Sequence, residues 1–424
     1  MYPSRLDEAS SGEPSRIKVL LIAYACEPNQ GSEPGTGWNL AVGLARCCDV
    51  TVVTRANNKR VIEQVLPKGD GSRLRFVYID PAAFYLKLKR KKILSHQAFY
   101  AIWQVWLAFW IWRNNDSDRY DVIHQVTYNS FEVPPIAFLK KSKAKLVWGP
   151  VGGGQTVPCN QLPLFGKKGG VLEFIRNVRV RFSAWNPFCI LAVRHADLIY
   201  FANSETRQLL ARWCKGEVRM MIDVGVDTAK FQPRQDRTKN SRPIILFGGR
   251  LEGRKGALLL LMALNVLKNE GVLFECHIIG TGPDKQVLNN YIQDNQLQDC
   301  VSMLGSVTHD VMADEFRLAD IFVFPSLRDT SGAIVLEAMA TGLPTVCIDH
   351  QGGGEIIGDE CGIKIESANI ETMKTCFADA IQRLINDSSL REVMGEAARK
   401  KACQEYDWNI RISRVVNGYK NILS

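Results

Sequence analysis

Two series of short apolar runs, each alternating with helical patterns, constrain the fold of this chain more than any other feature. In the first half the runs are rich in β-branched residues and lie at 17–25, 49–55, 74–80, 121–126, 145–150 and 197–203. In the second half they recur at 243–250, 273–280, 301–305, 320–326 and 344–349. Continuous apolar runs separated by helices are typical of parallel strands buried on both faces. The sequence therefore predicts an α/β protein with two doubly wound, Rossmann-like sheets, one in each half.

The length of the chain and one polar segment predict the domain boundaries. At 424 residues the chain is too long for one ordinary core and suits two domains. Residues 228–243 are polar, charged and without periodicity, as in a linker. We predict a disordered lead-in at 1–16, an N-terminal domain at 17–235, a second domain at 236–405, and a last helix at 406–424 that packs back on the first domain.

Cysteine usage and the N-terminal residues predict a cytoplasmic protein. The 12 cysteines form no Cys-x-x-Cys pair, so neither a zinc site nor a secreted disulfide framework is indicated. The first sixteen residues contain no apolar run of the kind that a signal peptide needs. Both observations favour a reducing compartment.

Basic clusters and one aromatic segment raise the question of membrane contact. Lysines and arginines concentrate at 87–92, at 140–145 and at 167–181, within a net charge of +9. Residues 93–112 contain no charged side chain except a histidine and hold four of the nine tryptophans. Phe99, Trp103, Trp106 and Trp110 recur as one helical face would. The segment is interpreted as a buried or peripheral helix, with an interfacial membrane helix and a true span as alternatives.

A glycine-rich loop follows the first predicted strand. Gly31, Gly35 and Gly37 stand ahead of a predicted helix, where glycine lets backbone amides approach a ligand and a helix N-terminus favours an anion. The spacing is neither that of a dinucleotide-binding loop nor that of a P-loop. A phosphate site and a plain strand-to-helix turn both fit.

Two cations and a second glycine-rich turn follow strands of the second half. Arg250 ends one strand and Lys255 opens the next helix, where they can neutralise a departing diphosphate. A lysine at a helix start opposes the helix dipole, which favours a functional reason. Gly280 and Gly282 form a turn after the following strand that can bring backbone groups against a nucleotide base.

Two carboxylates in SLRDTSGAIVLEAMATGLP, residues 326–344, are placed to hold an extended ligand. Asp329 lies in a loop and Glu337 inside the helix that follows, so they address different parts of one molecule. Carboxylates accept hydrogen bonds from vicinal hydroxyls such as those of a ribose or a hexose. In the alternative, Asp329 caps the helix and Glu337 meets solvent. A run of three glycines at 352–354 adds a turn with close backbone approach.

The ordered series of these motifs resembles a known family. GGRLEGRKG, GTGP, and DTSGAIVLEAMATGLP followed by GGGE are similar to the retaining nucleotide-sugar glycosyltransferases of family 4, which have the two-domain GT-B fold. The likeness extends from KVLLIAYACEPNQGSEPGTGW through WGPVGGG and ADLIYFANSETRQLL to the terminal YDWNIR. It therefore covers most of the chain.

The resemblance assigns roles to particular residues. It implies that Arg250 and Lys255 hold the diphosphate, that Asp329 meets the donor sugar and that Glu337 meets the ribose. The predicted donor site also includes glycines and backbone amides, namely Gly31, Gly35, Gly37, Gly280, Gly282, Ser331, Gly332, Ala333 and Gly353. Gly152 and Gly153 are expected to form an acceptor-facing loop.

The chain departs from the family pattern at two positions. The first carboxylate of the motif is Asp329, one methylene shorter than the glutamate found in the family, so its reach to the sugar differs. Many members carry His-x-His after the fourth strand, but here His124 is followed by Gln125 and Val126. His124 is either a core histidine or a catalytic group that takes a polar role near the acceptor.

The function that the resemblance implies is hexosyl transfer from a UDP- or GDP-sugar to a hydroxyl acceptor, with the anomeric configuration retained. No metal ion and no other cofactor is expected. The acceptor is expected to be a lipid-linked saccharide of cell-surface polysaccharide synthesis, reached by peripheral contact with an anionic membrane surface on its cytoplasmic side. A non-catalytic nucleotide-sugar-binding subunit and an epimerase or phosphorylase are the alternatives, while nucleic-acid binding is disfavoured.

Overall fold

The structure, a computed structural model, describes residues 16–66, 73–113, 119–234 and 242–424. The predicted lead-in lies outside the described residues except for Arg16. The predicted boundary between residues 235 and 236 also lies outside them, so both stay predictions.

The first domain is a parallel sheet covered by helices on both faces. Its strands within the described residues are β1 (Lys18–Ile22), β2 (Asp49–Thr54), β3 (Leu74–Tyr78), β4 (Val122–Gln125), β5 (Lys145–Val151), β6 (Leu198–Phe201) and β7 (Glu217–Met220). Its helices are α1 (Ser32–Leu44), α2 (Lys59–Val65), α3 (Ala83–Arg90), α4 (His96–Arg113), α5 (Gly166–Ser183), α6 (Pro187–His195) and α7 (Ser204–Leu210). The strands pair in parallel in the order β3-β2-β1-β4-β5-β6-β7.

The second domain repeats this architecture. Its described strands are β8 (Ile244–Gly248), β9 (Glu275–Ile279), β10 (Val301–Gly305), β11 (Ile321–Phe324), β12 (Thr345–Ile348) and β13 (Gly362–Ile365). Its helices are α8 (Ala257–Asn269), α9 (Lys285–Asp294), α10 (His309–Leu318), α11 (Ala333–Ala340), α12 (Gln351–Ile356), α13 (Ile370–Asn386) and α14 (Ser388–Lys401). The strand order is β10-β9-β8-β11-β12-β13, again all parallel. The predicted α/β class with two doubly wound sheets is confirmed.

The sequence patterns missed the strand at one edge of each sheet. β7 reads EVRM and β13 reads GIKI, and neither forms an apolar run. An edge strand has one neighbour and is partly exposed, so it lacks the continuous hydrophobic signature of a central strand. The other strands of both sheets coincide with the predicted runs.

The last helix, α15 (Trp408–Leu423), packs against the first domain rather than the second. Its residues Ile412, Val415 and Tyr419 join the core that α1 forms with one face of the first sheet. The chain crosses back by a parallel bridge between Val226 and Asp407. The C-terminal residues therefore tie the two domains together, and Val226 and Trp408 beside the bridge line a cavity between them.

Helix α4 is half buried, and its aromatic residues occupy two faces. Phe99 and Trp103 are buried against the other face of the first sheet, whereas Trp106 is exposed and Trp110 is partly exposed. The prediction that these four side chains share one face was therefore wrong for Trp106. Among the described helices, none combines the length and the apolar character needed to cross a bilayer.

His124 is a residue of β4, is buried in the core of the first domain and faces α15. Its Nε2 is 2.9 Å from the carbonyl oxygen of Gly149, and its Nδ1 is 2.6 Å from the hydroxyl of Tyr419. A carbonyl only accepts, so Nε2 carries the proton and Nδ1 accepts from Tyr419. Burial lowers the pKa of His124 to about 4. Because the unfolded imidazole takes up a proton at about pH 6.5, this residue lowers the stability of the fold as the pH falls from 6.5 towards 4.

The Tyr419→Phe substitution should destabilise the protein by about 1–3 kcal/mol, because it leaves Nδ1 of His124 buried without a donor. The urea midpoint of unfolding measures this loss. Tyr200→Phe is the matched control, since among the described residues the Tyr200 hydroxyl is buried without a hydrogen-bond partner. Equal midpoints for the two variants would contradict the role of the His124–Tyr419 hydrogen bond in holding α15.

Candidate functional site

The loops at the carboxyl ends of both sheets meet in a cleft between the two domains. The loop after β11 reaches the first domain through Thr330, whose hydroxyl accepts a 2.6 Å hydrogen bond from the side-chain amide of Gln155. The hydroxyl of the next residue, Ser331, donates to the carboxylate of Asp223. Ligands of open parallel sheets bind beyond the carboxyl ends of the strands. The loop after β11 therefore lies at the centre of the predicted site.

Two cations of the second domain surround Asp329. The ammonium group of Lys255 forms an ion pair with one carboxylate oxygen, and the guanidinium of Arg254 lies 3.8 Å from the other. Lys255 also lies 5.6 Å from the ring centroid of Phe324, the last residue of β11. The side chain of Arg250 is 68% exposed and lies 3.3 Å from the carboxylate of Glu252. The structure thus brings Lys255 and Asp329 together, whereas Arg250 is exposed and paired with Glu252.

Glu337 lines a cavity of about 440 Å³ between the domains. Its carboxylate is 3.4 Å from Nε2 of His309, and the hydrogen bond with Glu337 raises the pKa of His309. Opposite it the cavity is closed by Gly31 and Gly35 of the first domain. Its size is adequate for part of a small ligand, which fits the nucleoside role predicted for Glu337.

The predicted glycine loop of the first domain is largely helical. We expected Gly31, Gly35 and Gly37 ahead of the helix, but α1 begins at Ser32, and only Gly31 precedes it. A Cβ atom at Gly35 would lie 2.0 Å from the carbonyl oxygen of Gln30, and one at Gly37 would lie 2.2 Å from that of Ala25. These two glycines therefore let the first turns of α1 pack tightly on the loop after β1.

The glycines of the second domain also serve close packing between loops. A Cβ atom at Gly280, whose φ is +138°, would lie 1.8 Å from the carbonyl oxygen of Gly249, and one at Gly282 would lie 2.1 Å from that of Leu251. The turn is thereby locked to the loop that carries Arg250. Gly353 lies inside α12 and not in a turn, and a Cβ atom there would lie 3.0 Å from the ring of Phe324.

The start of α11 carries the remaining predicted donor contacts. Gly332 precedes the helix with φ +80°, and Ala333 is its first residue and lines the 440 Å³ cavity. Ser331 is engaged by Asp223 of the first domain. The three predicted backbone contacts therefore lie on the wall between the two domains.

A second cavity, of about 300 Å³, lies on the first-domain side of Thr330. Gly152 and Gly153, which were predicted to face an acceptor, line it, and a Cβ atom at Gly152 would lie 2.7 Å from the Thr330 methyl group. Glu33 and Asp223 also face this cavity. Burial and then the charge of Asp223 raise the pKa of Glu33 to about 7, and burial also raises the pKa of Asp223. His124 lines neither cavity.

His124 was predicted to be a candidate catalytic group, and the geometry does not support this role. Both ring nitrogens are engaged in the core, so neither is free for a substrate. Of the two interpretations that the sequence left open, the core histidine is the one that agrees with the structure.

Sequence reasoning missed several residues that hold the cleft together. The side chain of Gln351 accepts from the backbone N–H of Asp329 at 3.2 Å and donates to the carbonyl of Thr156 at 2.7 Å. Gln155, Glu33 and Asp223 were missed in the same way. The sequence did contain a signal for Glu33. This glutamate lies in the first turn of the helix after β1, and the loops that follow strands meet at the cleft.

The part of the chain that the structure describes contains no group of three or more His, Cys, Asp or Glu side chains arranged to hold a metal ion.

Comparison with known proteins first defines the class. Over 96% of this chain and 99% of the other, the fold is similar to that of a sucrose-phosphate synthase from Thermosynechococcus elongatus, with a TM-score of 0.64 and 17% identity. It is also similar to HepE of Anabaena, solved in complex with UDP and glucose, with a TM-score of 0.60 and 16% identity over 95% of this chain and 99% of the other. The chain is a two-domain α/β protein with the GT-B fold of glycosyltransferases.

Sequence comparison adds a match in the second domain. Residues 229–401 match the model of the family described as glycosyl transferases group 1. The chain is 28% identical over 201 residues to an alpha-D-kanosaminyltransferase of Streptomyces kanamyceticus, covering 47% of this chain and 51% of that protein. It is 31% identical over 209 residues to the putative colanic acid biosynthesis glycosyltransferase WcaL of Escherichia coli, covering 47% and 50%. The chain spans about half the length of these curated relatives.

Proposed function

We propose that this protein is a retaining glycosyltransferase that moves a hexosyl group from a UDP- or GDP-sugar to a hydroxyl acceptor. The observation that carries the proposal is the meeting of Lys255 with Asp329 in the cleft, beside the cavity that Glu337 lines. In this proposal the two cations, Lys255 and Arg250, bind the diphosphate, while Asp329 contacts the donor sugar and Glu337 contacts the ribose. A second cavity across Thr330 offers room for an acceptor.

The proposed mechanism relies on charge stabilisation rather than on a protein nucleophile. As the bond between the sugar and the diphosphate breaks, negative charge grows on the leaving phosphate, where Lys255 and Arg250 stabilise it. The acceptor oxygen bonds to the anomeric carbon on the face from which the diphosphate leaves, and its proton passes to the leaving phosphate oxygen, so the configuration is retained. In this proposal the two cations stand where other enzymes use a metal ion, and transfer should therefore persist when a chelator is added.

The comparisons support a nucleotide-sugar donor and suggest an acceptor. Structures of HepE, a fold neighbour, contain UDP and glucose or UDP-glucose. The relative WcaL carries a name from colanic acid biosynthesis. We propose a lipid-linked saccharide of cell-surface polysaccharide synthesis as the acceptor, with the protein held at the cytoplasmic face of a membrane by peripheral contact.

Thermal shift against a panel of UDP- and GDP-sugars tests the donor site and chooses among donors. The selected donor is then incubated with a saccharide acceptor, and the product is analysed for transfer and for anomeric configuration. Transfer only in the presence of acceptor supports the proposal. Release of sugar phosphate with inorganic phosphate alone would indicate a phosphorylase, and binding without turnover of any acceptor would indicate a non-catalytic subunit.

Glu33 should govern the pH dependence of transfer. Its carboxyl faces the acceptor cavity with a pKa raised to about 7, so it becomes an ionised acceptor of a substrate hydroxyl only as the pH rises through that value. We expect kcat/KM for the acceptor to rise through about pH 7 and this rise to disappear in Glu33→Gln. A Glu33→Gln variant with an unchanged pH profile would contradict the assignment.

A further inference from the structure

Helix α5 exposes an apolar stripe and buries polar side chains, which is the reverse of an ordinary surface helix. A helix at the surface of a globular protein normally buries its apolar stripe and exposes its polar one. In α5 the inward positions hold Glu173 and Asn177 together with Val180, whereas the outward positions hold Val171, Ile175 and Phe182. Ile175 is 56% exposed and Phe182 is 72% exposed.

Two inward polar side chains of α5 form hydrogen bonds or ion pairs inside the protein. The side-chain amide of Asn177 donates to the carbonyl of Val157 at 2.7 Å and its oxygen accepts from the backbone N–H of Val157 at 3.2 Å. Glu173 forms a 2.6 Å ion pair with Arg328 of the second domain. The orientation of α5 is therefore fixed by specific hydrogen bonds, and its outward apolar stripe is a consequence of that orientation.

The neighbouring helices extend the same surface. α4, α5 and α6 pack on the same face of the first sheet, because their buried side chains share one core. We call six exposed apolar side chains of α4 and α5 the outer face, namely Val105, Trp106, Phe109, Trp112, Ile175 and Phe182. Near the end of α5, the guanidinium of Arg212 lies 4.3 Å from the ring centroid of exposed Trp185. Tryptophan beside arginine is typical of the membrane–water interface.

The charge around the outer face has one sign. Residues 81–113, which include α3 and α4, contain six lysines and arginines and no acidic residue. Residues 166–195, which include α5 and α6, contain six more and a single acid, Glu173, which is buried. An apolar surface framed by cations complements a layer of anionic headgroups over hydrocarbon.

We infer that the outer face, centred on the apolar stripe of α5, docks on an anionic lipid bilayer. A second copy of this chain is the less favourable occupant, because a twofold dimer would place the same cationic surface against itself. A bilayer offers hydrocarbon to the apolar side chains and anionic headgroups to the surrounding cations. This surface includes the exposed side of α4, but its centre is α5, which the sequence marked by its basic residues and not by its apolar stripe.

The inferred docking places the acceptor cavity at the membrane. Arg176 and Arg179 of α5 line the 300 Å³ cavity, while Ile175 and Val178, each next to one of them in the chain, belong to the outward stripe. One helix thus contacts lipid on one side and the acceptor cavity on the other. This point rests on the proposed function, since it gives a lipid-linked acceptor a short path from the bilayer to the cleft.

Sedimentation with vesicles tests the inference. The full chain is mixed at low salt with vesicles of phosphatidylcholine alone or with an equal part of phosphatidylglycerol, and the Ile175→Glu/Phe182→Glu double variant is compared. The matched control is Val287→Glu/Val393→Glu in the second domain, where the side chains are 55% and 63% exposed. We expect binding to anionic vesicles that salt weakens, a loss of about tenfold or more in the double variant, and none in the control.

The remaining outcomes separate the explanations. Absence of sedimentation of the wild-type chain with anionic vesicles overturns the inference, as does equal loss in the two double variants. A wild-type dimer in solution that the α5 variant dissociates would assign the outer face to a second copy. Thermal shift by the nucleotide sugar is measured on every variant, so a retained shift shows an intact fold. Failure of the proposed function would appear instead as absence of that shift in the wild-type chain.

Discussion

Lys255→Ala is expected to lower kcat for sugar transfer by about 10² to 10³, the usual cost of removing one preorganised contact to a developing negative charge. Lys255 is mostly buried at the cleft and is paired with Asp329 before any donor enters. An ammonium group has three donors, so a diphosphate can engage Nζ while the ion pair persists. The loss should fall on kcat, because the charge on the leaving phosphate grows only in the transition state.

The fold should survive the Lys255→Ala substitution. Arg254, 3.8 Å from the other oxygen of Asp329, still offers that carboxylate a cation. Lys268→Ala is the matched control, because Lys268 forms a 2.8 Å ion pair with Asp299 on the same domain away from the cleft. Steady-state kinetics and melting temperatures of both variants are compared. An unchanged kcat in Lys255→Ala, or an equal loss of kcat in Lys268→Ala, would contradict the role of Lys255 in stabilising the leaving phosphate.

Glu337→Ala is expected to raise KM for the nucleotide sugar by about 10- to 100-fold while leaving kcat within a few-fold. The estimate comes from hydrogen bonds to a charged group, which contribute about 1.5–3 kcal/mol. The ribose does not react, so its contact is equally strong in the ground state and the transition state, and its loss appears in KM. The prediction is checked by donor titration at saturating acceptor.

The second domain offers a closely matched control for Glu337. Glu315 also forms a pair with a histidine, His277, at 2.8 Å, and the two carboxylates are similarly buried. Glu315 lies on α10 and does not line the cavity that Glu337 lines. Glu315→Ala should leave KM unchanged. A Glu337→Ala variant with a reduced kcat and an unchanged KM would indicate that Glu337 acts at the reacting centre and not in nucleoside binding.

Much of the candidate donor site could be predicted from sequence because its residues follow strands. Lys255 and Asp329 are 74 positions apart in the chain, yet both come directly after strands that are neighbours in the second sheet. In a parallel sheet the carboxyl ends lie at one edge, so order along the chain is enough to bring them near. The same reasoning missed β7 and β13, because these short edge strands do not form apolar runs.

Other parts of the site depend on contacts between domains and left little trace in the sequence. Gln351 and Gln155 act by bridging loops that are distant in the chain, and glutamine has no pattern that marks such a bridge. The raised pKa of Glu33 arises from burial beside Asp223, which reaches the cavity from the segment after β7. His124 illustrates the converse, since a histidine near a motif proved to be bonded on both sides in the core.

The sequence by itself determined the class of the two sheets, most of their strands, and the segments after strands that hold Lys255, Asp329 and Glu337. It did so because hydrophobic periodicity and the succession of strands and helices along the chain are local properties. Only the tertiary structure decided that His124 is closed off by α15, that Glu33 and Asp223 share a cavity, and that α5 turns its apolar stripe outward. These outcomes depend on which surfaces meet after folding, and helical periodicity predicts an apolar stripe without indicating whether protein, water or lipid lies against it.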